Sequence, residues 1–80
     1  MEIDVRANGG LMVEARFDNF KIVTDQPEDD GGTNTAPSPF DLFLASLATC
    51  AGYYVLAFCQ ERALPTEGLA LKMTSDWNEH

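Results

Sequence analysis

Cys50 and Cys59 are the residues of this chain best equipped for covalent chemistry. Both sit in the almost uncharged stretch APSPFDLFLASLATCAGYYVLAFC, Ala36 to Cys59. A thiol attacks as its thiolate, so a reactive cysteine needs positive potential beside it and a path for its substrate. Without these, a mid-helix cysteine is a small buried hydrophobe. Both readings stand for Cys50, whose neighbours Ala48, Thr49, Ala51 and Gly52 are small enough to admit another helix or a small ligand. For Cys59 the packed reading is the default. On one helix a separation of nine positions places two residues about 180° apart and about 13.5 Å along the axis. A disulfide needs Cα atoms within about 7 Å, so the two cannot bond to each other there.

The candidate cations for Cys50 are Arg6, Arg16 and Lys21, all N-terminal to the apolar stretch. Asp41 precedes Cys50 by nine positions and falls on the opposite helical face, where its natural place is the helix N-terminus. His80 is the only histidine and ends the chain, so neither a Cys/His dyad nor a metal site has its ligands, and no cofactor is expected. Asp29 and Asp30 match no calcium-loop spacing and read as a solvated turn. Tyr53 and Tyr54 must face different directions, and one of them can line a pocket.

The elements that must position these residues are modest in extent. Eighty residues make one small α+β domain, and a chain this short buries only about 60% of the surface its unfolded form exposes. Ile3 and Val5 alternate with charged residues over Glu2 to Arg6, and Asn8-Gly9-Gly10 supplies a tight turn. Leu11 to Phe17 alternates with the two-residue period of a half-buried strand. After Asp18-Asn19 comes a third strand, Phe20 to Thr24, which completes an antiparallel meander. Asp25 to Pro37 is a loop holding an acidic cluster, a glycine pair and two prolines. Ser38-Pro39 then opens a helix that is expected to run to about Arg62, a length of roughly 36 Å. Gly68 to Trp77 alternates again and predicts a further strand.

That helix is apolar on nearly every face, so it must be covered all round, as a long buried central helix. Sheet strands can cover one side; a second copy of the chain or additional sequence must cover the other. The stop at Asn78-Glu79-His80, directly after a predicted strand, leads us to expect a fragment of a longer protein. Thirteen acidic residues against five basic ones, a net charge of -8, repel phosphate backbones and anionic lipid, so neither nucleic acid nor membrane is an expected partner. Phe43 to Cys59 has roughly the length of a membrane span, but Ser46, Thr49, Gly52, Tyr53 and Tyr54 occupy its middle and no basic cluster flanks it. Two cysteines and a start, MEIDVRANGG, unlike a signal peptide point to the cytoplasm, with reduced thiols.

The segment GGTNTAPSPFDLFLASLATCAGYYV resembles the central part of the OsmC/Ohr family of organic hydroperoxide resistance proteins, especially its OsmC-like branch. The likeness rests on the Gly-rich loop, on Pro39, Asp41 and Leu42 at the helix start, on the small-residue stretch, and on a cysteine nine after the acid. It spans nearly the whole chain and corresponds to the N-terminal half of a family member. The resemblance implies an intertwined homodimer with active sites at the subunit interface and Cys50 as the peroxidatic cysteine, acting on a small organic hydroperoxide and regenerated by a dithiol reductant. It also implies a resolving cysteine in the C-terminal half, which these 80 residues do not contain, and a loop arginine that Asp25 to Pro37 lacks. Arg16 is the nearest basic residue on the N-terminal side. The 80 residues alone are therefore expected not to complete a peroxidase cycle. The alternative is a non-catalytic OsmC-like dimer that binds a small hydrophobic ligand at its interface.

Overall fold

The computed structural model describes residues 1–76. Three strands, β1 (Asp4–Ala7), β2 (Val13–Phe17) and β3 (Phe20–Thr24), form an antiparallel sheet in the order β1-β2-β3. The first two strands each start two residues later than their alternation predicts; for β2 the reason is that Leu11 and Met12 belong to the turn, where Asn8 N–H donates to the Met12 carbonyl at 2.9 Å and Met12 N–H to that of Gly9 at 2.9 Å. Gly9 and Gly10 both take positive φ there, which explains why two glycines sit in the turn. The second hairpin turns at Asp18, whose φ of 53° aspartate tolerates.

The register sorts the sheet into two faces. Val5, Ala15 and Ile22 stand in one row, with Phe17 and Phe20 paired beside them; Asp4, Arg16 and Lys21 stand in a row on the other face, beside Arg6 and Glu14. Phe17 and Phe20 pack their rings with centroids 5.8 Å apart. Opposite charges face each other across β1 and β2, an arrangement that supports this register over a one-residue slip.

The loop from Asp25 onward is more ordered than its composition suggests. Asp25 is fully buried, alone among the described residues. Its Oδ1 accepts the Gln26 N–H at 2.7 Å; its Oδ2 accepts both the N–H (3.2 Å) and the hydroxyl (2.6 Å) of Thr33, and both the N–H (3.2 Å) and the hydroxyl (3.0 Å) of Thr35. Backbone bonds from Asp25 to Pro37 and from Asn34 to Gln26 close the loop, and a single 3₁₀ turn, Glu28–Asp30, fills its tip. Asp29 and Asp30 are exposed on that turn, as a solvated turn requires. Thr33 above all, then Gln26 and Thr35, hold the Asp25 carboxyl far below the usual carboxylate range.

Helix α1 spans Pro39–Glu61. It begins with a reciprocal cap: Ser38 Oγ accepts the Asp41 N–H at 3.1 Å, while Asp41 Oδ2 accepts the Ser38 N–H at 3.2 Å. It ends in a Schellman motif, with Leu64 N–H on the Cys59 carbonyl at 2.8 Å, Ala63 N–H on that of Gln60 at 3.1 Å, and Ala63 at φ 56°. The chain divides into two compact units, Met1–Leu42 and the residues from Phe43 on.

Two expectations are corrected here. Residues 68–76 form no strand, since a strand exists through its ladder and the alternation of Leu69, Leu71 and Met73 supplies only the side-chain half of that requirement; Trp77 lies outside the described residues. Nor is α1 buried: none of its residues is, and Phe43, Leu47, Tyr53, Tyr54 and Phe58 are each about half or more exposed. By length and composition alone α1 also meets the requirement of a membrane span, a test that the core helix of a soluble protein passes equally.

Because the folded Asp25 carboxyl titrates below its unfolded value of 3.8, its contribution is complete above that value and is lost as the pH falls toward the folded pKa. Asp25→Asn is expected to lower stability at neutral pH. The gap between variant and wild type should shrink as thermal unfolding is followed from about pH 5 to about pH 2. Gly32→Ala is expected to disorder the loop, since a Cβ there would lie 2.1 Å from the Gln26 carbonyl oxygen; faster amide exchange at Thr33 and Thr35 is the readout.

Candidate functional site

Cys50 lies at the midpoint of α1 and is exposed, with its thiol free. The helix macrodipole acts only within the terminal turns, so at this position a thiolate must draw its positive potential from a side chain. The turn before Cys50 neutralises its own polar groups. Ser46 Oγ donates to the Phe43 carbonyl at 2.6 Å, and Thr49 Oγ1 is shared between the carbonyls of Ala45 (3.0 Å) and Ser46 (3.1 Å). Hydroxyls turned back in this way leave the helix surface beside the cysteine effectively apolar.

The small residues that flank Cys50 do not form a pocket around its sulfur. Ala48, Thr49, Ala51 and Gly52 line an open apolar cleft of about 510 Å³ whose other wall is Leu69 to Met73 of the same unit. A Cβ at Gly52 would meet Leu71 Cδ1 at 3.7 Å. Residues two positions apart on a helix are rotated by about 200°, so Cys50 looks away from the Ala48 and Gly52 side of this cleft. The small-residue stripe thus receives the chain's own Leu69–Met73 segment, and Cys50 projects from another side.

The other sequence-derived candidates fall into place separately. Arg16 belongs to the Met1–Leu42 unit and Cys50 to the second. The Arg16 Nε bonds the Glu14 carboxylate two residues away on β2, and its side chain is 59% exposed. In register it stands opposite Asp4 and Lys21, and Arg6 stands opposite Glu14. Asp41 is occupied in the reciprocal cap with Ser38, a structural task. Cys59 is half-buried and also free, next to Phe58, whose ring lies 3.8 Å from the Arg62 guanidinium. Tyr53 and Tyr54 are exposed and meet edge to face with centroids 5.1 Å apart. His80 lies outside the described residues, and among those described no cluster of acids, histidines or cysteines can hold a metal.

Sequence reasoning missed Asp25. Its signal was a Thr-x-Thr pattern, Thr33 and Thr35, placed eight and ten residues after an aspartate and just past a glycine pair.

Residues 32–80, more than half of the chain, match the family model described as OsmC-like protein. The chain belongs to the OsmC-like family. The match takes in the Ser38–Asp41 cap and Cys50, but begins after the three strands and therefore after Arg16. A comparison with curated proteins gives no match. Within the OsmC-like segment the loop end, the capped helix start and the cysteine keep the order that the sequence resemblance rests on.

If Asp41 acts through the cap, Ser38→Ala and Asp41→Ala are each expected to cost about 1 kcal/mol in urea unfolding. Asp41→Ala should leave the rate of Cys50 alkylation by iodoacetamide unchanged. Ala63→Gly is expected to stabilise the helix end by roughly 1 kcal/mol, since glycine takes the left-handed conformation without the Cβ clash.

Proposed function

We propose that this OsmC-like chain is part of a thiol-dependent organic hydroperoxide reductase in which Cys50 is the peroxidatic nucleophile and a second copy of the chain completes the site. The observation that carries the reading is an exposed, unpaired thiol at the centre of an apolar helix, within the segment that matches the family. The exposed side chains of Phe43, Leu47 and Phe58 support the homodimer, because a helix apolar on every face stays in water only at the cost of its unburied surface. That exposure would suit a helix in lipid just as well; what favours a core role is the run of Ser46, Thr49, Gly52, Tyr53 and Tyr54 through the middle of α1.

The chemistry needs little apparatus. The Cys50 thiolate attacks one oxygen of the hydroperoxide, the S–O bond forms as the O–O bond breaks, and the alkoxide leaves as an alcohol after taking a proton. The sulfur is then a sulfenic acid. Condensation with a second thiol releases water and forms a disulfide, and a dithiol reductant exchanges with that disulfide to restore both thiols. Cys59 cannot serve as the second thiol within one helix, being on the opposite face about 13.5 Å away. The resolving thiol therefore comes from another element or from another chain. Arg16, from this chain or a second copy, is our candidate for the cation that Cys50 needs, and that role would require it to exchange its bond to Glu14 for the thiolate. A reducing compartment such as the cytoplasm suits a cysteine that must begin each cycle reduced.

A second reading has its own observation in support. The loop from Asp25 to Pro37 holds no basic residue, and an apolar cleft runs beside the helix, as befits a non-catalytic dimer that holds a small hydrophobic ligand. One experiment separates the two. After a brief pulse of cumene hydroperoxide the protein is trapped with dimedone and mapped by mass spectrometry. The reductase reading expects the adduct on Cys50 and not on Cys59, with consumption of one equivalent of peroxide that Cys50→Ser abolishes and Arg16→Ala slows. Absence of both adduct and peroxide loss would leave the binding module.

A further inference from the structure

The β1–β2 turn places an asparagine directly before a glycine, in a part of the sheet unit where nothing crowds the backbone. Asn8 and Gly9 are both exposed, Gly9 has φ 91°, and a Cβ built on Gly9 would meet no atom within 4 Å. The bonds that close the turn use the amides of Asn8 and Met12 and the carbonyls of Gly9 and Met12, so they do not engage the Gly9 amide nitrogen. We propose that Asn8 is a site of spontaneous modification, deamidating through a cyclic imide to aspartate and isoaspartate, and that the isoaspartyl product opens the β1–β2 hairpin.

The step is balanced and needs only water. The Gly9 backbone nitrogen gives up its proton and attacks the Asn8 side-chain carbonyl carbon; a C–N bond forms, the bond to the side-chain amino group breaks, and ammonia leaves with the proton. Water then opens the five-membered imide at either carbonyl. Opening at one restores a normal backbone with an aspartate side chain; opening at the other routes the backbone through the former side chain and lengthens it by one carbon. Asparagine is among the thermolabile residue types, and a following glycine removes the Cβ that would hinder ring closure.

The rest of the molecule provides internal controls. Asn34 is exposed too, but the next amide, Thr35 N–H, is held by Asp25 Oδ2 at 3.2 Å. Asp30 precedes a glycine, yet the Gly31 amide is engaged by the Glu28 carbonyl at 3.1 Å. Asn19 is followed by Phe20, whose side chain obstructs the ring. Position 8 also has the most to disturb: it adjoins the Ala7↔Val13 pair that ends the ladder, and its own N–H supplies a closing bond to Met12. An extra backbone carbon there cannot keep both in register.

The test is incubation of the wild-type chain at mildly alkaline pH, with samples mapped by tryptic mass spectrometry and isoaspartate detected with an isoaspartyl methyltransferase. Deamidation is expected at Asn8 roughly tenfold faster than at Asn19 or Asn34, and Gly9→Ala should slow it by a similar factor because of the added Cβ. In the isoaspartyl fraction the Asn8 and Met12 backbone hydrogen bonds should lose their exchange protection while the Thr33 and Thr35 amides keep theirs. Equal or faster reaction at Asn19 or Asn34 would overturn the assignment of the site. Unchanged protection of the turn in the isoaspartyl fraction would overturn the opening of the hairpin.

Discussion

A carboxylate sealed away from water must find its hydrogen bonds within the chain, and Asp25 finds five of them on three residues. This one group organises the connection between sheet and helix. Ordering a loop of this length costs about 1–2 kcal/mol per residue in backbone entropy, which local turns alone do not offset. Asp25 opposes that cost by drawing Gln26, Thr33 and Thr35 to one point, and the Asp25–Pro37 backbone bond then brings the loop end next to the residue that follows β3. Ser38 and the cap of α1 follow immediately. The placement of the helix start thus descends from a buried charge, which is tolerated because its acceptors are satisfied and none of its bonds is wasted on solvent.

The helix itself poses the opposite problem. Its polar groups are settled internally, with Ser46 and Thr49 bonded to their own backbone, and its apolar side chains are left without cover. Full burial of a large apolar side chain contributes about 1.5–3 kcal/mol, and among the described residues of this chain no hydrophobic side chain is buried. On either proposed reading, a fold that defers its hydrophobic stabilisation in this way would acquire it on association. The reductase reading and the binding reading share this consequence: in either, Cys50 lies on a surface that partner atoms enclose, and the thiol's environment is set by that enclosure more than by its own helix.

How much was legible beforehand can be judged element by element. β3 and the start of α1 were read correctly to the residue, because Asp18-Asn19 and Ser38-Pro39 are local signals whose chemistry acts within a few bonds. The end of α1 was read within one residue, although Arg62 and Pro65 suggested the stop whereas the Ala63 left-handed turn makes it. The strand at 68–76 was misread because alternation specifies a face and cannot specify a partner. Of the candidate site residues, Cys50 and Asp41 were singled out from type and spacing; the structure occupies Asp41 in the helix cap, and the role of Cys50 is a proposal. The separation of Cys50 from the small-residue cleft followed from helix rotation, which was available in the sequence but decisive only once Leu69–Met73 was seen against Ala48 and Gly52.

Sequence by itself determined the meander, its two faces, the helix and its cap, and the impossibility of a Cys50–Cys59 bond along one helix, since each depends on periodicity or on contacts a few residues apart; the family it carried as a resemblance of motifs. Tertiary structure alone decided that Asp25 is the buried centre of the loop, that Arg16 is engaged by Glu14, and that the Leu69–Met73 segment lies against the side of α1 away from Cys50. The difference is physical. Period and capping are properties of neighbouring bonds, whereas which carboxylate loses its water, and which face of a uniformly apolar helix is met first, depends on residues that only folding brings together.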